Sequence, residues 1–215
     1  HRTMKSFKTF SGIAAPLIRV NIDTDAIIPS REIKTVSKKG LSVGLFAEWR
    51  YLSLESKKEN PDFILNQEPF KKASILVTGN NFGCGSSREH AVWALSEWGI
   101  RAIIAPSYGS IFYSNCIKNG ILPIVMDERV ISSMSVYIKE NPEENRLTVN
   151  LIKNKVSYSN EIVETFVIQK QDKEFLINGL DQIEQTLQKN SIISEFEKLH
   201  KKTNPWLNAS WKSTV

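Results

Sequence analysis

Cysteine is almost missing from this 215-residue chain, with Cys84 and Cys116 the only two. Two thiols cannot make the cysteine set that an iron–sulfur cluster normally uses, so no cluster is expected on this chain alone. With no secretory signal peptide they also point to a reducing cytoplasm, where a disulfide is unusual. Histidine is scarce as well, and neither His90 nor His200 stands at ligand spacing from another His or Cys, which argues against zinc. No apolar run approaches the ~18 residues of a membrane span. Internal repeats and low-complexity linkers are absent too. The formal net charge of +5 comes from scattered lysine pairs, such as Lys57-Lys58, Lys71-Lys72 and Lys201-Lys202, set among acids. That is a solvated surface rather than a nucleic-acid footprint, although a modest positive field helps to draw in a small dianion.

What is present is concentrated in eight residues, Gly83-Cys84-Gly85-Ser86-Ser87-Arg88-Glu89-His90. The apolar, β-branched run 73–77 before them reads as a buried strand, and residues 78–87 turn polar and glycine-rich. Behind them Ala91, Ala94, Leu95 and Trp98 recur at helical spacing until Gly99 offers a stop. A strand, a glycine-rich loop and a helix start make an anion site. The first helical turn leaves N–H groups unpartnered at the positive end of the macrodipole. Gly83 and Gly85 allow close approach, Ser86 and Ser87 add hydroxyls, and Arg88 adds a planar fork for a carboxylate. An alternative stays open: two serines before a helix also serve as simple caps, and Arg88 can pair with Glu89 or another neighbour.

Nucleotide readings fail on the same residues. A dinucleotide fingerprint needs a third glycine at the right offset, and a phosphate loop needs lysine where Ser86 stands. A small acid suits the loop better.

The run from Asn81 to Ala91 resembles the signature of the aconitase superfamily's swivelling domain, in its 3-isopropylmalate dehydratase small-subunit family. A second run, Asn21-Ile22-Asp23-Thr24-Asp25-Ala26-Ile27-Ile28-Pro29, resembles the other family motif. Further similar segments are Leu45-Phe46-Ala47-Glu48-Trp49-Arg50, Asn60-Pro61-Asp62-Phe63 and Asn178-Gly179-Leu180-Asp181, so the resemblance spans residues 5–207 in order.

The resemblance implies a single α/β swivelling domain of β/β/α type, with a mixed sheet, flanking helices and a C-terminal helical segment. It implies exchange of 2- and 3-isopropylmalate by loss and readdition of water through isopropylmaleate, in leucine biosynthesis. The partner would be a large subunit holding a 4Fe-4S cluster through three cysteines, with no cofactor on this chain. Ser86 matches the family's catalytic base, and Ser87 and Arg88 match positions that bind a substrate carboxylate. Asp25 matches an acid that supports the site, while Asp23 and Asp25 have the alternative of merely capping a turn. Ile33 and Lys34 fall in a loop, residues 30–35, that selects the substrate's side group in relatives. This chain departs there from a Tyr-Leu-Arg type run, so Ile33 meeting the isopropyl group and Lys34 meeting the second carboxylate are guesses, with Arg31 and Glu32 expected in solvent. Related hydro-lyases acting on homoaconitate or methylmalate, and a non-catalytic module that binds carboxylate or phosphate, are the competing functions.

Along the chain, strands are expected near 17–20, 101–105 and 121–126, a helix at 107–119, and parallel pairing in this part. Alternation after Arg146 predicts an antiparallel meander through 147–168, and two helices, 174–187 and 191–200, close the chain. His1-Arg2-Thr3 before Met4 reads as an expression scar, residues 4–207 as the domain and 208–215 as a variable tail. Leu45, Phe46, Trp49 and Tyr51 are either a docking face for the partner or core; Trp93, Trp98 and Cys116 read as core, and Cys84 as a small residue suited to a tight turn.

Overall fold

A computed structural model describes residues 8–33, 38–159 and 161–179. The chain divides into two compact units, His1–Ile177 and Asn178–Val215, and the first holds both of the larger sheets. At its centre lies a parallel sheet in the order β2 (Ala14–Leu17), β5 (Ile75–Thr78), β6 (Ala102–Ala105) and β7 (Leu122–Val125). Apart from Val125 every residue of these strands is buried, which is why they read as unbroken apolar runs rather than as alternating ones.

Parallel neighbours require crossovers, and helices supply them. Helix α3 (Glu89–Trp98) joins β5 to β6, and α4 (Ser110–Lys118) joins β6 to β7. Right-handed crossing between successive neighbours places both helices on one side of the sheet, where they pack on each other. Helix α3 buries Ala91, Val92, Ala94 and Leu95 and ends at Gly99, whose φ of 113° suits only glycine. Complete burial of a side chain such as Leu95 contributes about 1.5–3 kcal/mol. Helix α5 (Glu128–Glu140), capped by Asp127 on the Arg129 N–H at 2.8 Å, runs back across β2, β5 and β6.

The second sheet is antiparallel, β1 (Thr9–Gly12), β8 (Leu147–Asn150), β9 (Lys155–Ser157) and β10 (Val163–Thr165). In β8 Leu147 and Val149 are buried between half-buried neighbours, the alternation of a sheet with one wet face. A short hairpin, β3 (Tyr51–Ser53) with β4 (Lys58–Glu59), and two one-turn helices, α1 (Thr24–Ile27) and α2 (Ala47–Arg50), lie in the crossover from β2 to β5. The α/β architecture expected from the sequence is present, with parallel and antiparallel strands sorted into separate sheets.

Several details differ from the sequence reading. Strand β2 ends at Leu17, so Ile18 and Val20 lie beyond it and are exposed. Helix α4 starts at Ser110, because Gly109 keeps an extended backbone. Strand β1 and the whole of α5 had no counterpart in the sequence reading. Leu45, Phe46 and Tyr51 are buried, which removes them as a docking face; Trp49, half-buried, stacks on Phe46 with centroids 5.8 Å apart. Glu32, expected in solvent, is mostly covered and pairs with Lys57, whereas Arg31 does stand exposed beside Glu48 at 3.2 Å. Trp93 and Trp98 pack partly buried against the core, and Cys116 is fully inside it. A helix begins at residue 170; the rest of the 174–187 helix from residue 180, and all of the 191–200 helix, lie outside the described residues.

Candidate active site

Three loops leave the C-terminal edge of the parallel sheet, after β2, β5 and β6, and the backbone ties them together. Asp23 forms an isolated parallel bridge with Cys84, and Phe82 forms another with Tyr108. The Gly83 N–H donates to the Ile22 carbonyl at 2.7 Å, the Thr24 N–H to Cys84 at 3.0 Å, and the Gly109 N–H to Phe82 at 2.9 Å. Asn21 and Asn81, both left-handed, are joined by a hydrogen bond between their side-chain amides at 3.0 Å, Asn81 donating. Asparagine accepts that backbone region more readily than most residues.

Two glycines make this closeness possible. Gly83 has φ of 73°, and a Cβ there would lie 2.1 Å from the Phe112 ring. Gly109 has ordinary φ, but a Cβ would stand 2.5 Å from the Gly83 carbonyl oxygen. Neither position admits a side chain without moving a neighbouring element.

The loops enclose a cleft of about 190 Å³, lined by Thr24, residues 83–88 and residues 109–112. Ser86 and Ser87 are exposed to it, and among the described residues neither hydroxyl is engaged. The serines do not cap α3: Arg88 occupies the cap position and no side chain caps the first turn. That removes the simple capping alternative and leaves the helix start open to an anion. The loop itself is held from below, because the buried Thr24 hydroxyl donates to the Ser86 carbonyl at 2.6 Å.

Arg88 donates through one terminal nitrogen to Asp25 at 3.0 Å and to the Ile28 carbonyl at 3.2 Å. Glu89 takes no part in this, since it accepts instead from Asn119 at 3.1 Å. Asp25 is more than half exposed and reaches the cleft only through Arg88. Asp23 accepts from the Ala26 N–H at 2.7 Å and so caps α1, the structural use of that residue. Ile33 is half-buried against the core and does not line the cleft, and Lys34 lies outside the described residues.

The sequence reading missed Thr24 and the whole 109–112 wall. Its signal was available: Gly109-Ser110 follows a strand and opens a helix, the same order as Gly85-Ser86. The thiols do not fit an iron–sulfur cluster, because Cys116 is sealed in the core, where burial pushes its pKa well up, and Cys84 stands alone on the loop. Among the described residues no three His, Cys, Asp or Glu side chains converge. None of the described helices is long and apolar enough to cross a membrane.

A parallel-sheet edge carrying a serine–arginine loop at a helix start has a known counterpart: residues 4–129 match the Aconitase C-terminal domain family. The 3-isopropylmalate dehydratase small subunit of Cupriavidus necator is 46% identical over 205 residues, 95% of this chain and 99% of that one. The protein of the same description from Leptospira interrogans is 47% identical over 206 residues, covering 96% and 100%. A solved 3-isopropylmalate dehydratase structure from Methanocaldococcus jannaschii aligns with a TM-score of 0.57 and 26% identity, over 85% of this chain and 99% of that one. The chain belongs to the Aconitase C-terminal domain family, within its 3-isopropylmalate dehydratase small subunits.

Proposed function

We propose that this chain acts as the small subunit of a hydro-lyase that interconverts 2- and 3-isopropylmalate, with Ser86 as its proton-transfer base. The observation that carries the reading is the unengaged Ser86 hydroxyl, exposed in a cleft beside Arg88 at an uncapped helix start. A serine hydroxyl is a weak base in water, so its alkoxide needs positive charge, N–H dipoles and exclusion of solvent. Arg88 and the first turn of α3 offer the first two.

In the dehydration direction the Ser86 alkoxide takes the proton from a substrate carbon and the C–H electron pair becomes the new double bond. The hydroxyl leaves the adjacent carbon as hydroxide, which takes a proton from solvent to become water. In readdition water returns that proton to solvent, its hydroxide adds to the other carbon of isopropylmaleate, and Ser86 gives its proton back to carbon. Ser87 and the free side of the Arg88 fork hold a substrate carboxylate, and Asp25 fixes the orientation of Arg88. Thr24 keeps the Ser86 backbone in place. A large subunit is the partner that the small-subunit family implies, and it would carry the 4Fe-4S cluster and close the cleft against water. The site belongs in the cytoplasm, and the compact unit that carries it is the part that swivels onto the partner.

The test is an anaerobic assay of the reconstituted pair. Ser86→Ala should lower kcat by about 10²–10⁴-fold, while partner binding and substrate affinity persist. A variant pair turning over at the unsubstituted rate contradicts the assignment.

A further inference from the structure

Resting on the reading just given, we infer that Ile111 meets the substrate's aliphatic side group. The lining of the cleft is otherwise glycine, serine, threonine, cysteine and arginine, apart from Phe112. Phe112 is 2% exposed and spends its ring against Phe82 and under Gly83. Ile111 is 54% exposed, and among the described residues it is the one large aliphatic side chain in the cleft wall with surface to offer.

Isolated exposed aliphatics are ordinary on proteins. What singles out Ile111 is its fixed place opposite the serine loop. It is the second residue of α4, and the cap residue Gly109 is bonded directly to Phe82, one residue before Gly83. Gly109 also packs so closely on the Gly83 carbonyl that no side chain can separate the two loops. The serines and Arg88 thus face an apolar branched group across the same cleft, the arrangement needed by a dicarboxylate with a branched hydrocarbon arm. Ile33, the earlier candidate for that contact, packs against the core instead.

The experiment compares kcat/KM of the reconstituted, cluster-bearing pair on 3-isopropylmalate and on 3-methylmalate, which carries methyl in place of isopropyl. Ile111→Ala should lose about 10-fold on the isopropyl acid, the scale of a few methylenes in an apolar contact. Its loss on the methyl acid should be less than about 2-fold, and Ile111→Val should restore most of the isopropyl value. Equal losses on both acids, or weakened capture of the large subunit with the ratio unchanged, overturn the inference, the latter by making Ile111 a subunit contact. Failure of the unsubstituted pair on the isopropyl acid overturns the functional reading and this inference together; activity there with uniform variant losses overturns the inference alone.

Discussion

Arg88 and Arg50 both reach backbone carbonyls, yet the surroundings of the two guanidinium groups differ in kind. Arg50 is 6% exposed. Its terminal nitrogen donates to Ser42 at 2.7 Å, Leu45 at 3.0 Å and Val43 at 3.4 Å, and its plane lies 4.5 Å from the Trp98 ring centroid and 5.0 Å from that of Tyr51. Burial lowers its pKa from the ordinary value, partly offset by Tyr51, Glu59 and Glu32. Arg88 keeps 23% of its side chain exposed and commits one nitrogen to Asp25 and the Ile28 carbonyl. The difference separates a side chain buried in holding a loop, its Nε without a partner among the described residues, from one that keeps surface at a cleft. Burial commits Arg50 to the fold, and exposure leaves Arg88 able to meet a ligand.

The contrast predicts that activity and stability will separate. Arg88→Lys keeps the charge but loses the planar fork. It should cost the reconstituted pair about 10²–10³-fold in kcat/KM, near 3–4 kcal/mol of transition-state stabilisation, with little change in melting temperature. A stability loss as large as the catalytic one would erase the distinction. Arg50→Met should do the reverse. It removes the guanidinium bonds to the Ser42, Val43 and Leu45 carbonyls and should lower stability by about 2–3 kcal/mol, read as a Tm fall of roughly 4–12 °C. Per folded molecule, turnover should stay near normal.

The smallest effect concerns Glu97, at the far end of the helix that starts beside Ser86. Its carboxylate accepts from the Gly40 N–H at 2.7 Å, the Ser42 N–H at 2.9 Å and the Ser42 hydroxyl at 2.7 Å. Desolvation opposes its ionisation, but these bonds from Ser42 and Gly40 outweigh it and set the pKa below the ordinary carboxylate value. A depressed folded pKa stabilises the fold above the unfolded value and stops doing so as pH falls through the folded one. Glu97→Gln should therefore lower Tm by only a degree or two at pH 7, because the group is exposed and screened. The difference should shrink and then disappear as pH falls through the folded-state pKa, and a series of thermal melts from pH 7 into acid checks it. A gap that widens in acid would show that the carboxylate is not what fastens residues 40–42.

Much of this architecture could be read before any coordinates. Fully buried parallel strands and the glycine-serine loop announce themselves through composition, since each depends mainly on local sequence. Helix α5 escaped because its buried stripe, Ile131, Met134, Ser135 and Ile138, is narrow and includes a serine among many polar residues. For Leu45 and Phe46 the sequence leaves core and docking face both open. Their spacing does not say which face of a one-turn helix meets the core, and Phe46 enters that helix in a left-handed conformation with its N–H on the Ile27 carbonyl at 2.7 Å. The serine loop was legible as a motif, whereas its opposite wall depends on Gly109 lying against Gly83, a contact between residues 26 positions apart that only the folded sheet edge creates.

The bridges that lace the strand-end loops have a consequence for assembly. Thr24, Ser86, Arg88 and Ile111 are set by hydrogen bonds within one sheet edge of a single polypeptide. Their relative positions therefore do not wait for a second chain to mould them. Under the proposed function, association need only seal the mouth of the cleft, and most of the ordering cost around the Ser86 hydroxyl is met while the chain folds, before encounter.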